Sequence, residues 1–169
     1  FNNNIEQVVH LVQDEHEKFK WLESHLDMFR ARGNVLIFVN NKQSCEDLTT
    51  NLSILGYQLV SLHGDKSQEE REDAIAAFKN TTIKIMVATD IAARGIDIKH
   101  IKTIVNYHVA RDPDTHTHRI GRSARSEHDN DGIAFSLINS ESEYAVAPVL
   151  VKSLEETGQQ VPEELMQLA

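Results

Sequence analysis

Short apolar runs recur along the chain at Val35–Val39, Leu59–Leu62, Ile83–Ala88, Thr103–Tyr107 and Ile133–Ile138. Their brevity and β-branched content predict strands. Between them lie segments patterned as helices: Glu15–Arg32, Ser44–Leu55, Gln68–Lys79, Pro113–Arg122 and Glu141–Glu156. In the first, Phe19, Leu22, Leu26 and Phe29 recur at spacings of three and four, which places one apolar stripe on one helix face, and Gly33 ends the segment. Gly56 ends the next in the same way. Ile5–Val12 adds an edge strand, and Val161–Leu168, around Pro162, a short terminal helix. Continuous apolar strands that alternate with amphipathic helices predict right-handed βαβ units, hence an α/β fold with an open, mainly parallel sheet and helices on both faces. In such sheets ligands gather at the carboxyl ends of the strands, so the loops after Val39, Leu62, Ala88, Tyr107 and Ile138 come first as candidates.

At 169 residues, 40% apolar and 25% charged, residues 1–169 read as a single domain with room for one core. The longest apolar stretches, Val35–Val39 and Tyr144–Val151, fall far short of the roughly 18 residues of a spanning helix. A soluble protein without membrane contact is expected. The single cysteine, Cys45, excludes an intrachain disulfide, suits a reducing intracellular compartment, and is placed to pack rather than react. The chain begins at Phe1 rather than Met and reads as a piece of something longer. A net charge of −9 argues against a surface that grips nucleic acid by bulk electrostatics; any such site must be built from local Lys and Arg.

Two segments carry candidate chemistry. After Ala88 the chain reads Thr89-Asp90-Ile91-Ala92-Ala93-Arg94-Gly95-Ile96-Asp97, a loop of small residues with two carboxylates. Small residues admit close approach, a carboxylate such as Asp97 accepts from a ribose hydroxyl pair, and Thr89 can donate to a phosphate. The competing reading is a helix start with Asp90 as its cap. Further on, Asp112-Pro113 opens a helix that leads into His118-Arg119-Ile120-Gly121-Arg122-Ser123-Ala124-Arg125. On a continued helix the three arginines would share one face and repel unless anions met them, and a polyphosphate suits such guanidinium forks. A structural role for one of them, with Arg119 paired to Asp112 or Asp97, is the alternative.

Taken in order, these segments resemble the second lobe of DEAD-box RNA helicases over nearly the whole chain. Val35–Asn40 resembles the family's motif IV, His63-Gly64-Asp65 with Gln68 and Arg71 its HGD and QxxR elements, Ala88–Asp97 its motif V, and His118–Arg125 its motif VI. The resemblance implies a RecA-like domain that works with a separate N-terminal RecA-like lobe. It makes Arg122 and Arg125 arginine fingers on ATP, puts Gly95 and Asp97 on the nucleotide, and gives His118 a role in coupling the lobes. Asn41, Gly64, Gln68, Arg71, Thr89 and Arg94 become sugar-phosphate contacts to RNA. Such contacts are independent of base sequence.

None of the seven glycines sits in a GxxxxGK[ST] loop and no Asp-Glu-Ala-Asp occurs. The phosphate cradle and the Mg2+ ligands are therefore expected on the N-terminal lobe, with this piece inactive alone and monomeric. Ser123-Ala124 replaces the Thr-Gly usual between the last two motif VI arginines, Ser126–Asp131 is an acidic and lengthened loop, and Thr117 stands where a bulkier apolar residue is common. Asp112-x-Asp-x-His116-x-His118 imitates a metal cluster, but alternate residues lie on opposite sides of a helix, so no metal site is assigned. Of the nine histidines, only His63 and His118 gain weight from their motif positions; the others read mostly as surface or capping residues. Two other functions stay open: a RecA-like lobe that has drifted into a protein-interaction scaffold, favoured by the acidity and by Ser123-Ala124, and a free-standing nucleotide enzyme, disfavoured for want of a cradle.

Overall fold

The computed structural model describes residues 5–94, 96, 101–121 and 132–169. Six parallel strands form one sheet in the order β1-β6-β5-β2-β4-β3. They are β1 (Glu6–Val12), β2 (Asn34–Phe38), β3 (Val60–Leu62), β4 (Ile85–Ala88), β5 (Ile101–Asn106) and β6 (Ile133–Asn139). The helices are α1 (Glu15–Arg32), α2 (Lys42–Ile54), α3 (Gln68–Lys79), α4 (Asp90–Ala93), α5 (Pro113–Ile120), α6 (Ala147–Glu156) and α7 (Glu163–Leu168). The expected α/β architecture is thus present, with the strands within two residues of their sequence-read bounds.

Local chemistry sets the helix starts. The side chains of Asp14, Asn41 and Asp112 each accept from a backbone N–H three residues on, and Ser67 with Glu70 forms a capping box. Each such cap contributes about 1 kcal/mol. Gly33 closes α1 at φ 149°, where an added Cβ would stand 2.5 Å from Lys102 Cγ. Two helices are shorter than their patterns suggested. The Glu141–Glu156 segment opens with Asn139 Oδ1 accepting from Glu141 N and Ser142 N, passes a 3-10 turn at Tyr144–Val146, and becomes α-helical only at Ala147. Pro148 suits that late start, because its missing N–H falls in the first turn, where no intrahelical partner exists. The helix opened by Pro113 stops at Ile120 rather than Arg122, with Gly121 as its C-cap.

Both sheet faces are covered. On one, Leu22, Leu26 and Phe29 of α1 and Cys45, Leu48 and Leu52 of α2 pack on Val35, Ile37, Ile85 and Val87. On the other, Ala74 and Phe78 of α3 and Ile120 of α5 meet Leu36, Phe38, Met86 and Ile104. Burying each Leu, Ile or Phe contributes about 1.5–3 kcal/mol. Cys45 is fully buried, donates to Val87 O at 3.4 Å, and burial pushes its thiol up to about 11, so it packs as expected.

His116 departs from the surface role expected of most histidines. It is fully buried where α5 meets β1, with its Nε2 3.0 Å from Gln7 Oε1, while Gln7 Nε2 donates to Ser153 Oγ of α6 at 2.9 Å. Because Gln7 Oε1 only accepts, His116 Nε2 carries the proton; Nδ1 has no partner among the described residues. Burial, followed by the nearby Arg119 charge, pushes the imidazole down to about 4. The unfolded chain, with an ordinary His value near 6.5, therefore takes up this proton first as pH falls. Stability is unaffected by this group above about pH 6.5 and is lost progressively between pH 6.5 and 4, by roughly 3 kcal/mol in all. His116→Gln keeps a donor and cannot titrate. Urea unfolding of both chains at pH 7 and pH 4 is expected to show wild type losing about 3 kcal/mol more than the variant; parallel losses would refute the assignment.

Candidate nucleotide and RNA interface

Strand β2 lies between β4 and β5, so the chain reverses direction across the sheet at this point. The loops leaving β2, β4 and β5 part there, and the crevice between them is the expected ligand position in an open α/β sheet. Arg119 of α5 fills its floor. It is 1% exposed, and its Nε and Nη2 donate to Asp90 Oδ1 and Oδ2, both at 2.7 Å. Nη1 donates to His108 O and to Asn106 Oδ1 at 3.3 Å, and Nη2 also to Asn40 Oδ1 at 3.3 Å. The guanidinium carbon stands 5.0 Å from the Phe38 ring centroid. Asn106 is itself oriented by donating Nδ2–H to Ser136 Oγ at 3.0 Å. All five guanidinium N–H groups of Arg119 are thus taken by the ends of β2, β4 and β5.

That arrangement corrects two expectations. The partner of Arg119 is Asp90 rather than Asp112, which is occupied as the N-cap of α5, accepting from Thr115 N and Thr115 Oγ1 at 2.8 and 2.9 Å; the other expected partner, Asp97, lies outside the described residues. Asp90 in turn is the first residue of α4 rather than its cap. Thr89 holds the N-cap position, without a side-chain capping bond. The sequence marks Asp90 and Arg119 only as members of two separate segments, 29 positions apart.

Around this floor a small cavity is lined by Phe38, Asp90, Ala93, Arg94, Thr115 and His118. His118 is exposed there, on the side of α5 away from buried His116, so the two do not converge on a metal. Gly95, Asp97, Arg122 and Arg125 lie outside the described residues. The remaining sequence-read positions fall on neighbouring loops. Asn41 caps α2 after β2, Gly64 follows β3 with open space where a Cβ would point, and Thr89 and Arg94 bracket α4 after β4.

These loops are tied to one another. Lys42 Nζ donates to Asp65 Oδ2 at 2.7 Å, which joins the Asn41 loop to the Gly64 loop. Each partner shifts the other's proton affinity, raising Lys42 and lowering Asp65. His63 Nε2 bonds Glu46 Oε1, and Asp65 N donates to His63 Nδ1 at 3.2 Å, so His63 holds its loop onto α2. With Nδ1 accepting, Nε2 carries the proton to the Glu46 carboxylate; the His63 bond is the first cause holding that carboxyl below its usual range. Arg71 of α3 donates through Nη1 to Ala92 O and through Nη2 to Arg94 O at 3.5 Å, which fixes the α4 turn. Gln68 Nε2 donates to Glu72 Oε1 on the exposed face of α3. Sequence reasoning missed Asn40, Asn106 and Glu46, all of which act by orienting another side chain. Polar residues at strand ends were the available signal.

A model of the helicase conserved C-terminal domain matches residues 17–127. The chain belongs to this family. Within it, the lobe is 47% identical over 168 residues to the ATP-dependent RNA helicase DDX42 of Xenopus laevis, covering 99% of this chain and 17% of that protein. Among solved structures, the yeast DEAD-box splicing factor Prp28 superposes with a TM-score of 0.87 at 28% identity, covering 99% of this chain and 37% of that one. Dbp5 of S. cerevisiae, bound to RNA and ADP BeF3, superposes with a TM-score of 0.80 at 28% identity over 94% of this chain and 41% of that one. This helicase C-terminal lobe has the RecA-like fold of those proteins, and it spans about a fifth of the length of the curated relatives it matches. The resemblance to the second lobe of DEAD-box helicases therefore holds over the whole chain.

Proposed function

We propose that this lobe works as the second half of an ATP-dependent DEAD-box RNA helicase, in which a separate N-terminal lobe supplies the phosphate cradle and the Mg2+ ligands. Arg122 and Arg125 reach the phosphates of ATP, Gly95 and Asp97 meet its ribose, and His118 couples the lobes. Asn41, Gly64, Gln68, Arg71, Thr89 and Arg94 contact sugar and phosphate of RNA without reading bases. The lobe alone does not turn over ATP, and the protein acts as a monomer inside the cell.

The observation that supports this reading best is the hydrogen-bonded linkage of the loops after β2, β3 and β4 through Lys42–Asp65 and Arg71 to the α4 carbonyls. It gathers the RNA-side residues on three adjacent strand ends, next to the crevice floored by Arg119. A ligand in that crevice and one on the loops would share the same rigid elements, which is what coupling between ATP and RNA requires. Arg71 and Arg94 supply local positive charge in a chain whose net charge is −9.

The test is RNA affinity of the two-lobe protein with and without a non-hydrolysable ATP analogue. Closure across the lobes is expected to tighten a generic single-stranded RNA by about tenfold or more, equivalent to roughly 1.4 kcal/mol, and equally for RNAs of different sequence. No nucleotide-dependent gain would instead favour a protein-interaction scaffold, the reading its acidity and Ser123-Ala124 support.

A further inference from the structure

We propose that the open edge of β1 is a docking site for an extended, positively charged protein segment that adds to the sheet as a further strand. In a parallel ladder alternate residues face the neighbouring strand. Glu6 N donates to Gly132 O and Ser140 N donates to Val12 O, so the even-numbered residues of β1 bond β6 and the odd-numbered ones turn outward. The outward groups begin occupied: Gln7 N donates to Gln159 Oε1 at 2.7 Å, and Gln159 Nε2 donates to Ile5 O at 3.1 Å. One side-chain amide thereby makes the pair of bonds that a residue of an added strand would make. Beyond it, the N–H and C=O groups of Val9 and Leu11 point outward with no partner among the described residues.

Open strand edges are ordinarily blunted by Lys, Pro or a bulge. From Val8 to Val12 this edge has none of these: the sequence is Val-Val-His-Leu-Val and the register with β6 runs unbroken from Glu6 to Val12. Nor does α7 close it, since Val9 and Leu11 line a groove whose far wall is Glu163, Glu164 and Gln167. All three wall residues are exposed, and neither glutamate has an ion-pair partner among the described residues. The odd-numbered side chains of β1 face α6 and α7, as Val9 and Leu11 pack in that cluster. Alternate side chains of an added strand would face the two carboxylates, which selects Lys or Arg there. A second copy of this chain, also at −9, is disfavoured by the same electrostatics.

The experiment measures amide hydrogen exchange at Val9 and Leu11 in the isotope-labelled 169-residue chain. The probe is a peptide of about eight alternating lysine and valine residues, beside a glutamate–valine counterpart, a length typical of a strand. Saturable protection of both amides by the lysine peptide is expected, with at least about tenfold weaker binding of the acidic one. The double variant Glu163→Lys, Glu164→Lys leaves the strand untouched and is expected to reverse that preference. Val9→Pro removes one outward N–H without touching the β6 ladder and is expected to abolish protection at Leu11. Absence of protection, equal protection by both peptides, or protection that grows with protein concentration alone would each overturn the proposal, the last by making a second copy the occupant.

Discussion

Replacing Arg119 with alanine is expected to lower the unfolding free energy of this lobe by about 3–5 kcal/mol, read from urea unfolding at pH 7. The size follows from what is left behind. Arg119 is 1% exposed, and its loss strips Asp90, Asn40, Asn106 and His108 O of donors at once. A buried acceptor without a partner costs about 1–3 kcal/mol, and a charged one more. Asp90 keeps 31% of its side chain exposed and regains some hydration, which holds the total within the range for a broken buried pair. Arg119→Lys keeps the charge and loses the fork, so it can satisfy only some of these acceptors and should fall between wild type and alanine. Pairing Arg119→Ala with Asp90→Ala should give a double variant no less stable than Arg119→Ala alone, because the second substitution removes the orphaned carboxylate. A loss below about 1 kcal/mol for Arg119→Ala would show that the junction of β2, β4 and β5 is held by packing alone.

The layout of the sheet was legible because its strands are buried on both faces and so carry unbroken apolar runs, and because α1 repeats Phe19, Leu22, Leu26 and Phe29 with helical spacing. Strand order was not legible: nothing local says that β5 returns to the far side of β2. For the same reason the pairing of Arg119 with Asp90 could not be read, and nearer carboxylates at Asp112 and Asp97 were the natural guesses. Buried polar groups were the other blind spot. Lys18 sits in α1 as an ordinary charged residue by pattern, yet it is fully buried, with Nζ 2.7 Å from Glu143 Oε1 and 3.4 Å from Glu15 Oε2. His116 looked like half of a false metal pair until its Gln7 partner, 109 positions away, came into contact. In each case the environment that makes the residue unusual comes from a distant segment. The motif residues were legible for the opposite reason: Asn41, Gly64, Thr89 and His118 occupy loops at strand ends or a short helix beside them, where local sequence already marks the turn.

Arg122→Ala in the two-lobe protein is expected to cut RNA-stimulated ATP turnover by about 10²–10³-fold while leaving the urea midpoint of the lobe nearly unchanged. The contrast with Arg119 is the basis of the expectation. Of the three arginines in His118–Arg125, Arg119 has committed all five donors to protein oxygens and has none left for a phosphate. On the proposed reading, positive charge toward the developing phosphoryl charge comes from Arg122 and Arg125. An arginine delivered across an interface is typically worth about 10³–10⁵ in rate, or roughly 4–7 kcal/mol, and the loss of one of two should be smaller. If the contact forms mainly in the transition state, kcat falls and KM for ATP changes little; a rise in KM alone would mean ground-state binding only. Arg122→Lys, which keeps charge without the planar fork, should recover only part of the rate. Turnover that survives Arg122→Ala would take the finger role from this residue and leave Arg125 as the one remaining candidate in the segment.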